Sequence, residues 1–191
     1  RVMNTAICAR VTFPLGQKFE YWRLKVTNVS GRKRRLSAFT YCEFTNEWNT
    51  TQDMVNLQYT LFIVRGGLKD GLLRVACNEH MPVDPGGNVD RDWSKRTWMA
   101  LVGAPLAGYD TSREAFIGPY RSYANPLAVE RGKCFNSDAY GDNACGSLQA
   151  DLEIEPGGTR EVLVLLGIGG AEIVGKKIVA EYGSLAKASS E

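Results

Sequence analysis

Histidine is nearly absent: His80 stands alone, which argues against a Ser-His-Asp triad or a multi-histidine metal site. Charge of one sign is missing too. Lys and Arg number 23 against 21 Asp and Glu, a net charge of +2, so composition implies neither a nucleic acid nor an acidic membrane face as partner. The longest apolar run, Val162 to Leu166 with its neighbours, falls far short of the roughly 20 residues a membrane helix needs. Cysteines are few, odd in number and without CxxC spacing: Cys8, Cys42, Cys77, Cys134 and Cys145. They read as free thiols, buried or half-buried, and not as a disulfide framework or a metal set. There is no signal peptide, so a cytoplasmic location is expected, and the sequons Asn28-Val29-Ser30 and Asn49-Thr50-Thr51 read as chance matches. Gly167-Ile168-Gly169-Gly170 lacks the spacing of a dinucleotide fingerprint.

What is present is an ordinary core-forming composition. The 191 residues are 44% hydrophobic and 23% charged, which fits one globular domain. Arg1 opens the chain without an initiator methionine, inside what reads as a strand region, and the expectation is a piece of a longer polypeptide.

Most of the sequence alternates with period two, the pattern of half-buried strands. Leu148, Ala150, Leu152 and Ile154 share one face, with Gln149, Asp151, Glu153 and Glu155 on the other. Pro156-Gly157-Gly158 supplies turn chemistry, and Val162 to Leu166 returns as a strand apolar on both faces. These two strands are expected to form a hairpin. A second hairpin is expected from Phe19 to Val26, a turn at Thr27 to Gly31, and Leu36 to Phe44. The basic run Arg32 to Arg35 at that turn is either a phosphate or nucleic-acid patch or a solvated strand end that discourages edge pairing, and the near-zero net charge favours the strand end. Further strands are expected at Arg10 to Phe13, Tyr59 to Val64, Gly71 to Asn78 and Thr97 to Val102, with a loop at Met81 to Asp90. From Tyr109 to Ala144 periodicity dissolves, as in a functional or surface-covering stretch. Val174, Ile178, Tyr182 and Leu185 then fall on one face of a helix. The fold reading is all-β: two packed antiparallel sheets and a terminal helix.

Two clusters carry chemistry-bearing residues. The first runs from Tyr41 to Asn49 and on through Asp53 to Tyr59, with the acids, amides and aromatics that bind sugars. A strand and capped turn would use the same residues. The second is Gly108 to Tyr120, where Asp110 and Glu114 are close in sequence but make a weak case for a catalytic carboxylate pair.

The order of these segments resembles the N-terminal region of the inverting disaccharide phosphorylases of glycoside hydrolase family 94, which include cellobiose, cellodextrin, laminaribiose and chitobiose phosphorylases. The resemblance rests on Leu24 to Gly31 leading into Phe39 to Phe44, on Trp48-Asn49, on Asp53 to Tyr59, and on Tyr109 to Tyr120. Pro126, Val129, Gly132-Lys133, Asn136-Ser137 and Glu155 to Gly158 follow in register. It implies a large β-sandwich of the supersandwich, galactose-mutarotase-like kind, of which 1–171 is part. Residues 172–191 would be a helical linker toward an (α/α)6 catalytic barrel outside this sequence. The implied enzyme is a glycosyltransferase of carbohydrate metabolism: a β-glucoside and inorganic phosphate, the co-substrate, give an α-sugar 1-phosphate with inversion. No cofactor and no metal are implied, and no catalytic residue in this chain. It also implies a homodimer whose sandwich lies near the partner's site, acting on a disaccharide or β-glucan oligosaccharide. Asn56, Gln58, Tyr59 and Arg121 would shape the edge of the sugar site. Tyr59 stands where related cellobiose phosphorylases carry an arginine, which leans toward longer or differently linked glucans such as cellodextrins. The competing readings are a carbohydrate-binding module and a purely structural sandwich.

Overall fold

The computed structural model describes residues 5–44, 64–76, 96–141 and 143–190. Asn56, Gln58, Tyr59, Cys77, His80 and the expected loop Met81 to Asp90 lie outside the described residues. Among those described, ten strands form two antiparallel sheets. They are β1 (Thr5–Thr12), β2 (Phe19–Asn28), β3 (Arg34–Phe39), β4 (Cys42–Glu43), β5 (Arg65–Lys69), β6 (Leu72–Ala76), β7 (Arg96–Val102), β8 (Leu106–Ser112), β9 (Ala144–Ile154) and β10 (Thr159–Ile168). The first sheet runs β1-β2-β10-β7-β6-β5; in the second, β9 pairs with β3, β4 and β8. The sheets meet through two apolar clusters. Val26 and Val162 pack on Ala150, Leu152 and Ile154, while Leu73, Val75, Met99 and Val164 pack on Ala144 and Leu148. The expected all-β sandwich is what forms.

Neither expected hairpin forms. β9 and β10 are consecutive but belong to different sheets, and so are β2 and β3. Both turns are corners that pass the chain from one sheet to the other, and one residue holds them together. Asn28 is fully buried; its Nδ2 donates to the carbonyls of Arg32 at 2.8 Å and Ile154 at 2.9 Å, and its Oδ1 accepts from Ser30 N and Oγ. Its backbone pairs with Gly157 and Gly158. Pro156-Gly157-Gly158 does turn the chain, but a turn does not fix which sheet the next strand joins. With both amide hydrogens engaged in the interior, the Asn28 sequon offers no acceptor for a glycan. A true two-residue hairpin occurs at Asp70-Gly71, whose φ values of 53° and 78° suit the turn that matches strand twist.

β10 is buried on both faces, as its composition requires. Val162 and Val164 face the second sheet, while Leu163 and Leu165 face outward under helices, each contributing roughly 1.5–3 kcal/mol of burial. The cover consists of a π-helical turn at Ala171–Gly175, a helix at Lys176–Tyr182 and another at Leu185–Ser190. Val174, Ile178, Tyr182 and Leu185 pack together on Phe19, Tyr21 and Trp98, the face their spacing predicts. The basic run is neutralised locally: Lys33 pairs with Glu153 and Glu155, and Arg35 with Glu153. No helix among the described residues is long and apolar enough to cross a membrane.

Candidate functional site

The second sheet has its own cover, made by the stretch that lost periodicity. Here lie α1 (Arg113–Ile117) and α2 (Leu127–Arg131), whose Phe116, Ile117 and Ala128 bury Cys134 and Cys145 on the outer side of β9. That is why Gln149, placed on the polar face by alternation, is buried: it accepts from Cys134 N at 2.8 Å and donates to the Gly132 carbonyl.

Asp110 and Thr111, both fully buried on β8, fasten this cover. The Asp110 carboxylate accepts from Phe135 N at 3.1 Å, Ser137 N at 3.0 Å and Ser137 Oγ at 2.6 Å. Thr111 Oγ1 donates to the Ser137 carbonyl and accepts from Ala139 N at 2.8 Å. Tyr109 donates its hydroxyl to Asp138 at 2.9 Å; burial first, then that carboxylate, pushes the phenol up to about 12. Ser112 caps α1 through Ala115 N. Asp110 thus holds a loop in place, its carboxylate bonded to donors of that loop.

The surface beside this latch is polar and aromatic. Glu43 Oε1 accepts three bonds, from Tyr41 OH at 2.6 Å, Arg113 Nε at 2.8 Å and Tyr123 OH at 2.8 Å. The Tyr41 ring stacks on Phe116 with centroids 4.9 Å apart and lies 5.8 Å from Tyr123. Partial burial works to raise the Glu43 pKa, but the hydrogen bonds from Tyr41, Arg113 and Tyr123 outweigh it, and the carboxyl sits below its ordinary range. Burial, then the bond to Glu43, raises the Tyr41 phenol above its usual value. The surface therefore presents a fixed carboxylate, a guanidinium and tyrosine faces, groups that suit sugar hydroxyls and pyranose C–H patches. Tyr41 and Glu43 were singled out within the first sequence cluster. Their junction with Arg113 and Tyr123 was not, because it depends on strand register 70 and 80 residues apart.

Arg121, between α1 and α2, pairs with Glu130 and donates to the Asn125 carbonyl at 3.3 Å. The structure therefore sets it within its own loop, not against Glu43. Cys42 and Cys134 are thiols pushed up to about 12 by burial, which makes them inert at neutral pH. Among the described residues no group of three or more His, Cys, Asp or Glu is placed to hold a metal ion.

The sequence profile of the glycosyl hydrolase 94 supersandwich domain matches residues 5–185. The chain belongs to this family. As a family 94 supersandwich domain it is 31% identical over 185 residues to an N,N'-diacetylchitobiose phosphorylase of Vibrio furnissii, covering 96% of the chain and 22% of that relative. A second phosphorylase of the same name, from Vibrio proteolyticus, is 34% identical over 82% of the chain and 18% of its own length. A solabiose phosphorylase of Paenibacillus borealis is 28% identical over 78% of the chain and 18% of its own. The supersandwich domain thus spans about a fifth of the length of the curated relatives it matches. Among solved structures a polysaccharide lyase superposes with a TM-score of 0.51 at 12% identity, covering 95% of this chain and 22% of the lyase, a likeness of fold.

Proposed function

We propose that this domain is the sandwich part of an inverting disaccharide phosphorylase whose bond chemistry is carried by a barrel elsewhere in the polypeptide. The observation that supports it most directly is the 31% identity, across 96% of the chain, with a phosphorylase of N,N'-diacetylchitobiose. In the proposed reaction a barrel carboxylic acid protonates the glycosidic oxygen while phosphate attacks the anomeric carbon, giving an α-sugar 1-phosphate and the acceptor sugar without a cofactor. The carboxylates described here suit supporting work. Asp110 is engaged by three donors of its own chain, and Glu43 is held toward its ionised form by three donors.

In this reading Asn56, Gln58, Tyr59 and Arg121 shape the edge of the sugar site. The chain passes from the Glu43 surface directly into the segment carrying the first three. Residues 172–191 lead toward the barrel, and the working form is a cytoplasmic homodimer. N,N'-diacetylchitobiose ranks ahead of cellodextrins as substrate because relatives at 31% and 34% identity bear that name.

The test incubates the full-length polypeptide with N,N'-diacetylchitobiose, solabiose, cellobiose and cellodextrins, with and without phosphate, and measures sugar 1-phosphate. Phosphate-dependent turnover of N,N'-diacetylchitobiose is expected. Absence of sugar 1-phosphate from every substrate would overturn the reading, and turnover of cellodextrins alone would move the substrate. Turnover by a barrel-free sample would contradict the division of roles.

A further inference from the structure

The bonds that fix the Glu43 side chain all fall on one of its two oxygens. The hydroxyls of Tyr41 and Tyr123 and the Nε of Arg113 converge on Oε1. Among the described residues no group donates to Oε2, and the side chain is 41% exposed. Arg113 is used in the same partial way. Nε goes to Glu43 and Nη2 donates to the Tyr123 hydroxyl at 3.3 Å, while Nη1 enters no hydrogen bond among the described residues. The network therefore leaves one strong acceptor and one charged donor unspent.

Beside these two groups stands an uncovered ring. Tyr41 is committed to the domain, since its ring stacks on the buried Phe116, but Tyr123 is 61% exposed. The Tyr123 ring is steadied from within: the Arg113 guanidinium carbon lies 5.5 Å from its centroid, and its hydroxyl is tied to Glu43. Its backbone sits in a braced turn. Ser122 N and Oγ both donate to Asn125 Oδ1, at 3.1 and 3.0 Å, and Ala124 N donates back to Ser122 Oγ. Groups fixed before a ligand arrives lose little freedom when it binds. What this surface can receive is set by its open atoms. A carboxylate oxygen accepts from a hydroxyl, a guanidinium N–H donates to another, and a tyrosine face covers C–H groups. A pyranose ring offers all three. A sugar acid would also set a second carboxylate against Oε2, which favours a neutral ring.

We propose that Glu43, Arg113 and Tyr123 form a binding site for one neutral hexopyranose unit, held without phosphate. One sugar hydroxyl donates to Glu43 Oε2, another accepts from Arg113 Nη1, and the C–H face of the ring lies on Tyr123. The inference goes beyond the phosphorylase reading. Its readout is binding and not turnover, so either can fail without the other. The full-length protein is made with fluorotyrosine in place of Tyr123, and the fluorine resonance is followed by NMR in phosphate-free buffer. The probes are methyl β-D-glucopyranoside and the corresponding methyl glucuronide, in which a carboxylate replaces the hydroxymethyl group. A saturable shift is expected with the neutral glycoside, and binding at least tenfold weaker with the glucuronide. Two further variants are compared in the same fluorinated protein. Glu43→Gln should weaken the neutral probe at least tenfold and shrink the preference against the glucuronide. Arg113→Lys keeps the charge but gives up the planar fork, and should also weaken the neutral probe. No saturable shift, or equal affinities in the parent protein and both variants, would overturn the proposal. A weakened neutral probe in Glu43→Gln with the preference intact would overturn the contact at Oε2 and leave Glu43 as a brace for Tyr123.

Discussion

Asp110 and Glu43 stand on the two strands that flank β9, and each gathers hydrogen bonds from remote segments. Their settings differ in burial and in the kind of donor. Asp110 is fully buried, and its partners are two backbone amides and one hydroxyl of a single loop. Glu43 has a side chain 41% exposed, and its partners are side chains from the residue just before its own strand, from α1 and from the α1–α2 connection. A carboxylate answered by backbone amides fixes the path of the chain. One answered by tyrosines and an arginine leaves those groups at the surface in set positions, where they can meet a ligand. The first builds the domain, and the second is what the domain presents.

Removing the buried member has the largest expected effect. Asp110→Ala leaves the amides of Phe135 and Ser137 without their acceptor in the interior, and a cost of about 3 kcal/mol or more is expected. Urea unfolding of the full-length protein measures the total, and amide exchange at Phe135 and Ser137 locates it. A loss below about 1 kcal/mol would show that the covering stretch is held by other contacts. Next comes Asn28, which plays the same part with a neutral amide at the two corners. Asn28→Ala is expected to cost about 2 kcal/mol. Asn28→Asp keeps an acceptor for Ser30 but sets a carboxylate against the carbonyls of Arg32 and Ile154, so no rescue is expected.

Glu43→Gln should cost less, about 1 kcal/mol once exposure is discounted, and should add a pH signature. The folded carboxyl lies below its unfolded value of 4.5. Its contribution is therefore fully present above that value and is lost as pH falls through the lower folded pKa. The stability gap between the unmodified protein and Glu43→Gln should hold steady from neutrality to about pH 5 and shrink in more acid solution. A gap that persists at low pH would mean that the ionised form is not what the three donors require.

Much of this architecture was legible in the sequence because it follows from periodicity. The two-faced burial of β10, the inner face of β9 and the helical stripe from Val174 to Leu185 all follow from which side chains alternate. What escaped depends on pairing between distant strands. Turn residues at Thr27 to Gly31 and Pro156 to Gly158 announce a change of direction, yet not the passage between sheets, where the hydrogen bonds of Asn28 tie the two corners together. In the same way Arg65, Arg74 and Arg96 look unrelated along the chain and share one face of the first sheet only through the registers of β5, β6 and β7. Within the Tyr109 to Ala144 stretch no periodicity was available to read, because its order comes from the hydrogen bonds of Asp110, Thr111 and Gln149.

The smallest expected effect on stability belongs to a third carboxylate, which extends the comparison to the open surface. Glu130 has a side chain 60% exposed and pairs with Arg121, whose hydrogen bond holds its pKa below the ordinary value. Solvent competes for such a pair, and exposed ion pairs contribute little, so Arg121→Ala and Glu130→Ala should both leave the melting temperature of the full-length protein essentially unchanged. Kinetics should separate them. If Arg121 also meets a sugar oxygen, its loss removes a binding contact made equally in ground and transition states, and the acceptor KM should rise several-fold with kcat little altered. Glu130→Ala removes the ion pair but keeps the guanidinium, so its KM should stay near that of the unmodified enzyme. Tyr59→Ala, which would delete a stacking face, should behave like Arg121→Ala. Equal KM values in Arg121→Ala and the unmodified enzyme would take Arg121 out of the sugar site and leave it a tie between α1 and α2. A matching rise in Glu130→Ala would show instead that the pair positions the loop, with the guanidinium acting through that position and not by touching the sugar.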